Sequence, residues 1–346
     1  MSRPSDVPAP VHTVVVTGGA GFIGSHLVDA LLAECRAGRL PQDLHVRVVD
    51  DLSTGSVANL AGALAEGDVG SRPPVTLVRC SILDPLEEVL AGADVVFHLA
   101  ASVFPARSVA EPRADAEVNI MGTLNLLEAC RRTGVRRVIY SSSAAVYGDP
   151  QELPVPETHP PAPISPYGLS KYAAEQYCLL YAQLFGLRVT ALRYFTVYGS
   201  RQSPESPYSG VISRFADRAR RGEPLEIYGD GSQTRDFVHV SDVVRANLCA
   251  LYHCAAGVYN IGTGRAVSVE ELARLVAQIT AALTGRPPVS VQYLPARPGD
   301  IRHSVACVAR AARTLGFRAA VSLEKGLRAL LQELVGSSGS SGETSA

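Results

Sequence analysis

Along most of this chain, short runs of β-branched and apolar residues alternate with segments whose apolar positions recur every three or four residues. Residues 14–16 (Val-Val-Val), 45–49, 75–78, 95–99, 138–142 and 188–194 read as buried strands. Between them, 25–33, 83–90, 119–133 and 170–185 carry the helical period. Strand and helix in alternation imply an α/β protein, a doubly wound parallel sheet with helices on both faces. After about residue 195 the pattern loosens into loops rich in Ser, Pro and Gly, with helices expected over 210–221 and 268–284. This part reads as a smaller C-terminal substrate-binding portion, because ligands of such folds bind outside the carboxyl ends of the strands.

The expected organisation is a disordered N-terminus over 1–10, a sheet domain over 11–194, a mainly substrate-binding portion over 195–335 with returns to the sheet, and a disordered tail over 336–346 of linker composition. A length of 346 residues suits one large domain or two intimate ones. Hydrophobic content of 47% with 19% charged residues excludes a disordered or fibrous chain. A net charge of −1 gives no basic surface for nucleic acid. The seven cysteines lack CxxC spacing and read as free thiols of a reducing cytoplasm, with no metal site implied. Residues 2–10 are polar and proline-rich, unlike a signal peptide, and no apolar run is long enough to cross a membrane.

Three local patterns carry chemistry. After the Val-Val-Val run, Gly18, Gly21 and Gly24 take GxxGxxG spacing between a strand and a helix. In a dinucleotide site the first glycine makes the turn, the second admits the pyrophosphate and the third lets helix and strand pack closely. The diphosphate then lies at a helix N-terminus, and the sheet becomes Rossmann-type. Strand 45–49 ends in Asp50, placed to hold the adenine ribose hydroxyls and to repel a 2′-phosphate, which favours NAD; a plain turn or helix cap is the alternative. Finally, Tyr167 stands four residues before Lys171, one of two lysines in a chain with thirty arginines. On a helix the two share a face, where the ammonium would lower the phenol from about 10 toward the working pH and make an acid/base for an alcohol. The same spacing also suits an ordinary exposed Tyr/Lys pair.

From about Thr13 to Phe317 the chain resembles the extended short-chain dehydrogenases/reductases of the NAD-dependent nucleotide-sugar epimerase/dehydratase family, most similar to UDP-glucose 4-epimerase-like enzymes. The resemblance rests on VVVTGGAGFIGSHL, Asp50 followed by LSTG, HLAA from His98, NIMGT from Asn119 and SSSAAVYG from Ser141. It continues through SPYGLSK, LRYFTVYG, IYGDGSQTRDFVHVSDVV, NIGTG and ARPGDIRHS. It implies Tyr167 as the acid/base, Lys171 as its partner and a contact of the nicotinamide ribose, and Ser143 as a hydrogen-bond partner of the sugar's reacting oxygen. NAD would be held by Gly18, Gly21, Phe22, Ile23, Gly24, Asp50, Ser81, Ile82, Ala100 and Asn119, with Tyr167 and Lys171. Ser81 departs from the family's usual aspartate near the adenine. His98 either lines this cleft or is a packed strand-end histidine. The nucleotide sugar, UDP-linked by default, would meet Ser142, Ser143, Thr196, Arg235, Arg297, Arg302 and Ser304; arginines suit a diphosphate through bidentate bonding.

Dehydratases of the family carry an Asp-Glu pair just after the serine or threonine, and decarboxylases a glutamate in that region; here Ala144 and Ala145 stand there. The chemistry left is oxidation and re-reduction at one carbon, 4-epimerisation through a 4-keto intermediate. Ser304 replaces a bulky tyrosine that restricts some relatives to non-acetylated sugars, so glucose or N-acetylglucosamine is expected. Thr196 instead matches uronate 4-epimerases, whose downstream arginine is Ser203 here, which leaves UDP-glucuronate as the second substrate and a 4-keto-sugar reductase as the second reaction. A homodimer through segments 119–133 and 170–185 is the expected assembly.

Overall fold

The computed structural model describes residues 11–66, 73–202, 210–296 and 301–339. Seven strands form one wholly parallel sheet: β1 (Thr13–Thr17), β2 (His45–Val49), β3 (Val75–Val78), β4 (Val95–His98), β5 (Arg137–Ser143), β6 (Arg188–Tyr194) and β7 (Gly257–Ile261). Their order is β7-β6-β5-β4-β1-β2-β3, so the winding reverses between β1 and β4, where such sheets bind ligands. All five residues of β1 are buried, as expected for a strand covered on both faces.

The longer helices are α1 (Phe22–Arg36), α2 (Thr123–Thr133), α3 (Pro166–Phe185), α4 (Val211–Arg221), α5 (Val240–His253), α6 (Val269–Thr284) and α7 (Leu323–Gly339). α1 and α5 cover one face of the sheet through Leu27, Leu31, Val243 and Leu251. α2 and α3 cover the other through Leu126, Leu127, Ala174 and Cys178. A separate core joins α4, α6 and α7 around Phe215, Ile227, Leu272, Val276, Leu327 and Leu331. Each fully buried leucine there contributes about 2 kcal/mol of transfer free energy. The later part thus holds its own core, yet β7 and α5 return from it to the sheet.

Several element boundaries differ from those expected, each for a local reason. Helix 83–90 shrinks to Glu87–Leu90. Pro85 disfavours helical backbone before it, and a turn closed by the Ser81 amide on Asp84 Oδ2 at 2.8 Å takes the preceding residues. Segment 119–133 opens as a π-helix over Glu117–Gly122 before α2. α3 starts at Pro166, four residues early, because Ser165 Oγ accepts the Gly168 amide at 3.1 Å and proline suits the first helical position. α7 runs past the expected boundary at 336 to Gly339, anchored by Leu327, Leu330 and Leu331.

Candidate active site

The site residues collect where the strands of the sheet end. Gly18 turns the chain after β1 with φ +69°, and its amide donates to the Val49 carbonyl at 2.8 Å. A Cβ on Gly18 would lie 2.7 Å from Ala100 N, and one on Gly24 would lie 2.1 Å from Gly18 O. Glycine is therefore required at both places: Ala100 walls the turn, and α1 presses onto it. α1 begins after Gly21 without a side-chain cap, which leaves the amides of its first turn, at Phe22 and Ile23, to an incoming anion.

Asp50 follows β2 and is buried, Oδ2 accepting the Ala20 amide and Oδ1 the Leu52 amide, each at 2.9 Å. Burial pushes its carboxyl up, and the two amides oppose that. Asp50 thus closes the turn after β2, and each oxygen keeps a further lone pair. Ser81 Oγ accepts the Leu83 amide at 3.2 Å, and Ile82 packs beneath Gly122, where a Cβ would lie 2.5 Å from Ile82 Cδ1. This combination of glycine turn, uncapped helix start and edge carboxylate fits a dinucleotide.

His98 takes the packed role. Its two ring nitrogens lie 2.8 Å from Thr17 Oγ1 and 2.9 Å from Thr123 Oγ1, and burial drives its pKa down to about 3, so it stays neutral. Asn119 lies in the π-helix and is also buried. Its Oδ1 accepts the Ser102 amide at 2.8 Å, while Nδ2 lies within 3.2 Å of Ser102 O, Asp115 Oδ1 and Ser170 Oγ. Asn119 thereby ties the loop after β4 to α3.

Ser143 ends β5, and Tyr167 and Lys171 lie in the first turns of α3. The Ser143 hydroxyl accepts the Ala145 amide at 3.1 Å and hydrogen-bonds the Tyr167 phenol, which favours the phenolate. Ser108 Oγ accepts the Tyr167 amide at 3.0 Å and fixes the start of the helix. The Lys171 ammonium is buried 4.5 Å from the centroid of the Tyr140 ring.

The expected electrostatics are reversed in the protein alone. Burial pushes the Tyr167 phenol above its usual value near 10, with Ser143 as the opposing influence. Burial also pulls Lys171 down to about 8. The lysine therefore gives up its proton before the tyrosine does, so the protein alone does not hold a phenolate beside an ammonium.

Ser142 does not join this group. Alternation along β5 turns it away from Ser143, and its hydroxyl, 2% exposed, donates to Glu175 Oε2 at 2.7 Å. Glu175 is also held by Arg193 through Nε at 2.9 Å and Nη2 at 2.6 Å. Arg193 Nη1 donates to the Tyr147 hydroxyl at 2.8 Å. Sequence reasoning missed this network and Asp115, although Lys171 and Glu175, like Asp115 and Asn119, stand four residues apart.

In the later part of the chain, Arg235 and Ser304 are paired in register between strands Thr234–Arg235 and His303–Ser304. Asp236 fixes this small sheet by accepting the amides of Thr263 and Gly264 at 2.8 Å and of Ala306 at 3.2 Å. Arg302 is exposed, 3.9 Å from Asp230, and Arg235 Nη1 donates to the Thr234 carbonyl at 2.9 Å. Thr196 is half-buried in Thr196–Tyr198, the strand that follows β6. Arg297 and Ser203 lie outside the described residues. Among the described residues no group of His, Cys, Asp and Glu is placed to hold a metal ion.

The profile of the NAD dependent epimerase/dehydratase family matches residues 14–262. A UDP-glucose 4-epimerase of Mycolicibacterium smegmatis is 39% identical over 318 residues, 90% of this chain and 95% of its own. The crystal structure of a UDP-glucose 4-epimerase from Thermotoga maritima with UDP-glucose superposes with a TM-score of 0.82 at 41% identity, covering 94% of this chain and 99% of that one. A UDP-N-acetylglucosamine 4-epimerase from Methanobrevibacter ruminantium, in complex with UDP-N-acetylmuramic acid, gives 0.85 at 35% identity, covering 95% and 100%.

Proposed function

Because the chain belongs to the NAD-dependent epimerase/dehydratase family, we propose that it is an isomerase that inverts C4 of a UDP-sugar through a 4-keto intermediate. The observation that carries this reading is the constellation of Ser143 at the end of β5, hydrogen-bonded to Tyr167, with Lys171 one turn on in α3 and Ala144 and Ala145 next after Ser143. No carboxylate stands in those two positions to remove a second proton or to eliminate water.

NAD, when bound, supplies the acceptor and later the donor of the C4 hydride, and brings a positive charge into the cleft. The chain's own part is proton transfer and placement. Tyr167 takes the O4 proton and returns it after the sugar has presented its other face. Ser143 hydrogen-bonds that oxygen, and the Lys171 ammonium favours the phenolate. Gly18, Gly21, Phe22, Ile23, Gly24, Asp50, Ser81, Ile82 and Ala100 hold the dinucleotide, with Asn119 bracing the cleft beneath it. Thr196, Arg235, Arg302 and Ser304 are the residues assigned to the sugar and its diphosphate.

Glucose and N-acetylglucosamine rank above glucuronate, supported by the small Ser304 beside Arg235 and by the N-acetylglucosamine epimerase among the similar structures. The enzyme acts in the cytoplasm, in keeping with seven free cysteines; among the described residues no helix is long and apolar enough to cross a membrane. It works as a homodimer, supported by Leu169, Tyr177, Leu180 and Leu184, which are exposed along one face of α3. Proton NMR of separate incubations with UDP-glucose, UDP-N-acetylglucosamine and UDP-glucuronate tests the reading: a galacto epimer appears in at least one tube. Net consumption of added NADH with a 4-keto sugar, and no epimer in any tube, would establish the reductase instead.

A further inference from the structure

We propose that Asp115, the buried carboxylate bonded to Ser170 between Tyr167 and Lys171 on α3 and unpaired with any cation among the described residues, is a positioning residue for the catalytic pair, acting through space on both. The inference rests on the roles assigned to those two residues above.

Five elements bring charged or titratable groups toward Lys171. β5 contributes Tyr140, whose ring faces the ammonium, and β4 contributes His98. Its own helix contributes Glu175 and Cys178, β6 contributes Arg193, and the short helix Pro112–Ala116 contributes Asp115. Most of these carry no net charge at neutral pH. Burial keeps the Tyr140 phenol and the Cys178 thiol protonated, and His98 is neutral with both nitrogens engaged. Glu175 and Arg193 form a two-pronged ion pair whose charges cancel.

Asp115 is different. It is 2% exposed, and among the described residues no cation lies within the 4.0 Å of an ion pair. Its oxygens are held by neutral donors: Ser170 Oγ at 2.5 Å and Asn119 Nδ2 at 3.2 Å. Ser170 also reaches the Tyr167 carbonyl at 3.0 Å, and Asn119 is fastened to Ser102, so the carboxylate is fixed from both α3 and the loop after β4. A negative charge pinned there favours the Lys171 ammonium and opposes the Tyr167 phenolate, so it raises both pKa values together. Asp115 thus sets where on the pH scale Lys171 and Tyr167 change protonation, without touching the substrate.

The chain has two lysines, so full-length protein labelled with 13C-lysine gives two side-chain signals, Lys171 and the exposed Lys325. In Asp115→Asn the Lys171 midpoint is expected to fall by about one pH unit while Lys325 stays in place, and Asp115→Glu restores it. Both limbs of the pH–rate profile of the Asn variant move toward acid by a similar amount. An unmoved lysine midpoint, or a lower melting temperature and lower turnover with both limbs in place, would overturn the proposal and leave Asp115 a packing residue. Should Asp115→Asn not fold, the Asp115 Cγ signal of the wild-type protein decides: it shows an inflection at the Lys171 midpoint, and a flat trace there refutes the coupling. The lysine titration needs no substrate, so it gives its answer even if no UDP-sugar is epimerised.

Discussion

Tyr167 and Lys171 are the residues whose placement on one helix the sequence made most legible and whose energetics it left hidden. Their spacing of four on a helix was readable; the inverted order of proton loss was not, because it depends on how completely Tyr140, Asp115 and the Glu175–Arg193 pair enclose them. Tyr167→Phe removes the proton-transfer oxygen while keeping the ring, so kcat should fall by about 10²- to 10⁴-fold with the melting temperature nearly unchanged. Steady-state kinetics beside a thermal melt checks this. Lys171 leaves a thermodynamic trace as well. Its folded pKa near 8 lies below the unfolded value of 10.5, so above pH 8 the unfolded chain binds the extra proton and stability rises, by roughly 3 kcal/mol across that window. Urea unfolding at pH 8 and pH 10 should show about 2 kcal/mol of this gain in the wild type relative to Lys171→Met, in which it disappears.

At the scale of elements, the main strands and the glycine turn were legible because β-branched runs and GxxGxxG are local signals. The π-helix at Glu117–Gly122 and the early start of α3 were not read, since both are set by tertiary partners such as Asn119 and by a cap outside the periodic segment. Ser142 was misjudged for a related reason: three consecutive serines look equivalent in sequence, and only the pleat of β5 decides which of them faces Glu175. His98 illustrates how one side chain couples elements, bridging β1 and α2 through Thr17 and Thr123. Its folded pKa near 3 lies below the ordinary 6.5, so the unfolded state binds the extra proton in between and stability falls as pH drops below about 6.5. In His98→Asn the acid-induced loss between pH 6.5 and 4 should shrink, though stability at pH 8 is lower throughout for want of one hydrogen bond, about 1 kcal/mol. Denaturant midpoints across pH provide the check.

At the scale of the molecule, the later part of the chain was harder to read because its core is assembled from α4, α6 and α7, segments far apart in sequence. Its return to the sheet through β7 ties down the strands that carry Arg235 and Ser304, since Asp236 accepts the Thr263 and Gly264 amides just past β7. The exposed apolar face of α3 belongs to the same scale. Replacing Leu180 and Leu184 together by glutamate should leave a 36.6 kDa monomer in sedimentation equilibrium where the wild type gives twice that mass.

The central claim is that one carbon is oxidised and then reduced by the same hydride, with Tyr167 moving the proton. The most direct test is UDP-glucose deuterated at C4, incubated with the purified protein in ordinary water and followed by NMR and mass spectrometry. The account predicts UDP-galactose that keeps its deuterium at C4, with none appearing in solvent. Epimer that has lost the label to water would mean that the C4 bond is broken by proton abstraction, and the mechanism would fall.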